Sequence, residues 1–223
     1  MSGSPTRVGA VYDAIRDEVL TGGIPPGTKM KLADYSERFD VSLSVVREAM
    51  SRLAEQNLLQ ANPQRGFSTL SLSVDDLHEL TRARIIIETA TLRESIARGS
   101  LEWEAFLVGV HHQLAATPMY LDGAINPRFG PAHRDFHAAL LAGSDNTHLQ
   151  SIAASLRDRS ELYMFWSRTL GEPADRDVAC EHRELADLTI ARQPDDAASA
   201  LARHIQRTTD ILVDYARTHH ADH

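Results

Sequence analysis

Between Arg7 and Thr21 the apolar residues Val8, Val11, Tyr12, Ile15 and Val19 recur at three- and four-residue spacing. That spacing is one buried helical face, and Gly22-Gly23 supplies a stop. IPPGT at 24–28 reads as a rigid turn, and a short helix is predicted from Leu32 to Phe39, with a tight turn at Asp40 and Val41. Ser42 is placed to cap a helix running to about Glu55 that turns Val46, Ala49, Met50 and Leu53 inward. Residues 57–60 and 67–70 then read as two short strands, joined by ANPQRG at 61–66 with Gly66 near the end of the hairpin.

Beyond residue 72 the pattern is helical throughout. Helices are expected over 74–98, 101–115, 129–143, 147–169, 175–192 and 195–217, with breaks at Gly99, Pro118, Gly143–Asn146, Gly171–Pro173 and Pro194. Ser73 can cap the first of them, and Asp75 and Asp76 in its first turn suit the helix dipole. The fold class is therefore mainly α: a helical N-terminal domain with a small wing over 1–72, then an antiparallel bundle of six or seven helices over 73–218. Residues 219–223 are expected to be a disordered tail.

Charge sharpens this division. The net charge is −8, yet residues 1–72 hold eight basic and eight acidic residues, so the whole excess lies in the remainder. A neutral first third can present a local basic surface, while an acidic remainder discourages loose binding to nucleic acid. A single cysteine, Cys180, excludes an internal disulfide and fits a reducing cytoplasm. No signal-peptide core and no run of about 18 apolar residues is present, so neither export nor a membrane partner is expected.

Helix, helix, tight turn, helix and two-stranded wing is the order of a winged helix-turn-helix, whose third helix enters the major groove of double-stranded DNA. With the apolar face of that helix inward, Leu43, Ser44 and Arg47 lie on the outer face, and Arg65 sits at the wing tip. Arg47 can reach guanine or phosphate through its planar fork. A small structural helical domain with a solvated arginine gives the same pattern. The specific run is V-S-x-S-x-V-R-E-A-M-x-R-L-A-E-x-N-L-L over 41–59, between IPPGTKM and the NPQRGFSTL wing. Together these resemble the GntR-type winged helix-turn-helix, and the remainder is similar to the all-helical ligand-binding domain of the FadR-like subfamily. The resemblance implies operator contacts at Ser42, Leu43, Ser44, Arg47, Arg65 and Gly66. Two positions depart from the family pattern. Asp40 stands where the turn usually has glycine, and Leu43 stands where an arginine is usual, which removes a donor but offers contact to a thymine methyl.

The second region holds His133 and His137 within PAHRDFHAALL, one helical turn apart on one face. His182 and His204 each lie 11 residues from Gln193, on either side of the break between the last two helices. At 1.5 Å per residue both stand roughly 16 Å from that turn, level in an antiparallel pair. The four can form one site, or be unrelated histidines. The resemblance favours the site: FadR-like domains often bind a divalent metal through an aspartate and a histidine four apart plus two later histidines, and here His133 takes the aspartate position. Asp135 is not counted. Nitrogen-only ligation favours zinc or nickel. Arg84, in RARIIIE, matches an arginine that in relatives faces the ligand cavity; otherwise it is a partner for Glu88. Arg157, Tyr163 and Trp166 can line the same cavity or serve as core and surface residues.

The resulting expectation is a transcription regulator, and not an enzyme, that binds operator DNA as a homodimer and represses. A small organic acid, held near the metal, would control it. Two rivals remain: a sensor whose signal is the ion itself, and a metal-dependent enzyme using Glu181 or Glu184 as base.

Overall fold

The computed structural model describes residues 6–21, 23–63, 65–71, 73–168 and 176–219. The expected breaks at Gly22 and Gly171–Pro173, the side chains of Trp166 and His219, and all of His223 lie outside the described residues.

Helix α1, Arg7–Leu20, starts where the Thr6 hydroxyl accepts from the Gly9 amide, and buries Val11, Ile15, Val19 and Leu20. After strand β1, Lys29–Met30, comes α2, Leu32–Phe39, which ends at Asp40 in the left-handed region (φ 50°). Aspartate tolerates that geometry better than most residues, so the turn forms without its usual glycine. Helix α3, Leu43–Glu55, buries Val46, Ala49, Met50 and Leu53, the face its periodicity predicts. Ser42 occupies the N-cap position but makes no side-chain capping bond; its hydroxyl lies 2.8 Å from that of Ser44 instead.

The wing differs from the expected hairpin by one or two residues. Asn57 takes a left-handed conformation (φ 56°) that closes α3, so pairing begins only at Leu59. Strand β2, Leu59–Asn62, pairs antiparallel with β3, Gly66–Thr69, and β1 adds to the other edge of β3 by pairing Lys29 with Ser68. The three-stranded order β1-β3-β2 brings residues 29–30 alongside the wing, which no local pattern announced.

The helices that follow are α4, Val74–Arg98; α5, Leu101–Ala115; α6, Phe129–Leu141; α7, Thr147–Arg168; α8, Val178–Ile190; and α9, Pro194–His219. Proline at the first position of α9 needs no amide partner, and Asp195 and Asp196 complement the helix dipole. Helix α9 is described through His219, the first residue of the expected tail, and residues 220–223 lie outside the described residues. Strands β4, Tyr120–Leu121, and β5, Ala124–Ile125, form a hairpin turned by Asp122 and Gly123, both at positive φ. Asp-Gly is the sequence such turns demand, and the signal was there to be read.

Two compact units result. One holds α1 to β3 with Asp158–Trp166 of α7; the other holds α4 to α6, the first part of α7, and α8 and α9. The first core gathers Ile15, Val46, Met50, Leu53, Leu58 and Leu162. The second gathers Leu92, Leu107, Phe136, Leu140, Leu185 and Leu201. At its edge Trp103 donates its indole N–H to the Ala139 carbonyl at 2.8 Å and packs against Gly99 and Gly143. No helix among the described residues is long and apolar enough to cross a membrane.

Candidate functional site

In the N-terminal unit, Ser42, Leu43, Ser44 and Arg47 are all exposed on the first turns of α3, with Leu43 52% accessible. Arg47, Arg65 and Gly66 line one groove of about 660 Å³ between α3 and the wing. Gly66 has φ 88°, which a side chain would strain, so glycine here sets the start of β3. Lys29 and Lys31 line the same groove and are exposed, which the sequence reading did not anticipate. The signal was available only as basic residues beside a turn; the β1–β3 pairing is what carries them to the wing. Four basic side chains around one concave surface form a cationic field for a phosphate backbone.

In the helical unit, α6 contributes His133 and His137, α8 contributes His182 and α9 contributes His204, all between 3% and 6% exposed. One ligand atom from each lies within 4.8 Å of every other. The His133 and His137 Nε2 atoms are 3.2 Å apart, and the His182 and His204 ring centroids 5.0 Å apart. Two imidazole nitrogens on a tetrahedral zinc, each at ~2.0–2.1 Å, would stand about 3.3 Å apart, so the donor set fits such an ion. Buried His182 Nε2 has no hydrogen-bond partner, an unfavourable state that a ligated ion would relieve. Phe129 and Phe136 pack on the cluster, Phe136 with its ring 5.2 Å from that of His182. Asp135 is exposed and takes no part.

This enclosure keeps His137, His182 and His204 neutral. Burial, reinforced by the neighbouring histidines and by Arg84, holds His137 well below the usual histidine range. Burial likewise lowers His182, with the other histidines and Arg176 adding to it. In His204 burial again dominates and lowers the value to about 4, against the opposing hydrogen bond to Glu181. Neutral imidazole is the form that ligates.

Glu181, expected as a possible catalytic base, instead places Oε2 2.8 Å from His204 Nδ1. Burial alone would raise its carboxyl, but hydrogen bonds from His204 and Arg176 and the Arg176 charge prevail, lowering it to about 2. Glu184 pairs with Arg203 at 2.9 Å. Arg84 donates from Nε to Glu88 Oε1 at 2.7 Å, and Arg157 Nη1 stands 3.6 Å from Glu88 Oε2. All three are largely buried, unlike an ordinary surface pair one turn apart. Tyr163 is a buried member of the first unit, its hydroxyl 3.4 Å from the backbone of Ser73.

A winged helix-turn-helix with a basic groove, joined to an all-helical domain enclosing a histidine cluster, defines a class of DNA-binding regulator rather than an enzyme. Residues 7–68 match the gntR family of bacterial regulatory proteins, and residues 79–207 match the FCD domain. The chain belongs to the GntR family, with an FCD domain as its C-terminal part, and is a DNA-binding transcriptional regulator. It is 31% identical over 210 residues to the HTH-type transcriptional regulator BphR of Paraburkholderia xenovorans, covering 91% of this chain and 84% of that protein. It is 35% identical over 202 residues to the HTH-type transcriptional repressor RspR of Escherichia coli, covering 91% and 87%. The E. coli repressor GlaR is 26% identical, covering 90% and 93%. In fold it is similar to E. coli McbR/YncC, with a TM-score of 0.81 over 94% of this chain and 98% of the other, at 20% identity.

Proposed function

We propose that this regulator is a homodimeric repressor whose helical domain holds zinc or nickel through His133, His137, His182 and His204 and senses a small organic acid there. The observation that carries the reading is the enclosure of four buried imidazoles with their ligand atoms within 4.8 Å. An all-nitrogen donor set favours those ions over magnesium or calcium. Bound there, the ion would supply a dication that takes an anionic oxygen by expanding from four to five ligands. Arg84, whose charge reaches His137, would hold the rest of a carboxylate through paired hydrogen bonds once drawn from Glu88. On the DNA side, Ser42, Leu43, Ser44 and Arg47 are assigned to base edges and Arg65 and Gly66 to the wing contact, with Lys29 and Lys31 added as phosphate contacts. Repression is proposed because two relatives, RspR and GlaR, are named repressors. Effector binding must favour one placement of the reading heads over another, or nothing is switched.

Elemental analysis of the purified protein tests the metal. Stoichiometric zinc or nickel is expected in the parent and its depletion in His137→Ala, His182→Ala and His204→Ala. Metal at parental content in His182→Ala would reject a shared site. Operator titrations with metal alone, and then with small carboxylates, separate an acid sensor from an ion sensor: a response to the ion without any acid rejects the former.

A further inference from the structure

The four imidazoles are not held alike. His204 is anchored on its outer side by a carboxylate: Nδ1 lies 2.8 Å from Glu181 Oε2. Arg176 approaches the same Nδ1 at 3.4 Å, but the two contacts cannot both set the tautomer. Glu181 accepts from Arg176 at 2.7 and 3.0 Å and from Arg207 at 3.2 Å, so it is a carboxylate and can only accept from His204. The longer Arg176 contact therefore brings two donors side by side, while that guanidinium is satisfied by Glu181, by the His204 carbonyl at 3.2 Å and by Thr208 at 3.0 Å. Nδ1 carries the proton, and Nε2 is left bare.

We infer that Glu181, locked in place by Arg176, is a positioning residue that fixes His204 in the Nδ1–H tautomer and presents Nε2 to the histidine cluster. The inference rests on the metal reading of that cluster but concerns a residue outside the ligand set. Physically, a carboxylate on the far nitrogen orients the ring and raises its basicity as a ligand, and loss of such a partner costs 10–100-fold in metal affinity as a rule. Glu181 also explains why Arg176 is buried just before α8: it ties the start of that helix to α9.

Cobalt(II) titration of the full chain, followed by its absorption bands, reads the effect. Glu181→Ala is expected to bind about 10–100-fold more weakly than the parent. Glu181→Gln keeps an acceptor for Nδ1–H and should lose less. Glu184→Ala, which removes a neighbouring acid paired elsewhere, should bind as the parent does. Affinity in Glu181→Ala within twofold of the parent, equal loss in Gln and Ala variants, or equal loss in Glu184→Ala would each overturn the assignment. Nitrogen-15 NMR of the metal-free parent adds a reading that needs no variant to fold: Nδ1 protonated and Nε2 bare is expected, and the opposite tautomer overturns the inference. Failure of cobalt(II) to bind the parent defeats the metal site, whereas the tautomer of the metal-free chain judges Glu181 alone.

Discussion

Acidifying the metal-free protein should destabilise it before its carboxylates titrate. His137, His182 and His204 are buried and depressed below the ordinary histidine value of 6.5, His204 to about 4. A group whose folded value is depressed contributes stability that is complete above its unfolded value and is lost as pH falls towards the folded one. For these histidines the loss runs from about pH 6.5 downward, because the unfolded chain binds protons that the folded chain refuses. A histidine neutral when folded and titrating near 6.5 when unfolded loses about 1.4 kcal/mol on going to roughly pH 5.5. Three such groups lose about 4 kcal/mol, a large part of the 5–15 kcal/mol typical of a folded protein. Glu181, lowered to about 2, adds its own loss only below the ordinary carboxylate value of 4.5, outside this window. Urea unfolding with chelator present, followed by circular dichroism at about pH 7.5 and 5.5, measures the difference directly. His182→Gln removes one of the three groups and should flatten the pH dependence by about a third. Stability that stays constant to within ~1 kcal/mol over that range, or rises on acidification, would refute the argument that these imidazoles are buried neutral.

Arg47→Ala should weaken operator binding by ~1–3 kcal/mol in a fluorescence titration at fixed salt and leave metal content unchanged; parental affinity removes Arg47 from the interface. Arg65→Ala and Lys31→Ala should each lower the salt slope of binding by about 1, and an unaltered slope for Lys31→Ala separates β1 from the DNA surface. In Gly143→Ala the new Cβ would meet the Ser95 carbonyl oxygen at 2.7 Å and the Trp103 ring at 2.8 Å, too close for either to stay. A loss of ~1–3 kcal/mol is expected, and an unchanged melting temperature counts against that packing. Arg84→Ala should keep metal and operator binding but lose the ~2.7 kcal/mol that a cognate acid at about 100 times its dissociation constant gives the parent in a thermal-shift assay. An uncharged effector, or equal stabilisation of both proteins, defeats the role given to Arg84.

Much of this molecule is legible from its sequence because its elements are stabilised locally and repeat with the period of a helix. Val46, Ala49, Met50 and Leu53 face inward as their spacing requires, and the long C-terminal helices begin and end within a few residues of their proline, glycine and acidic signals. The level placement of His182 and His204 also follows from chain length alone, since two antiparallel helices that share a turn must match residue for residue. Other features belong to the tertiary structure, because contacts between residues distant in the chain decide them. Lys29 reaches the wing only by pairing with Ser68, and a two-residue strand has no periodicity to betray it. Asn57 shifts the start of the wing by taking a left-handed conformation that composition does not dictate. Glu181 was legible as an acid beside a histidine, yet its carboxylate serves His204 on the next helix and not its neighbour His182, since side chains adjacent in sequence diverge on a helix. The neutrality of His137, His182 and His204 is likewise a property of the packed bundle: Phe129, Phe136 and the facing helices exclude the water that would otherwise let them charge.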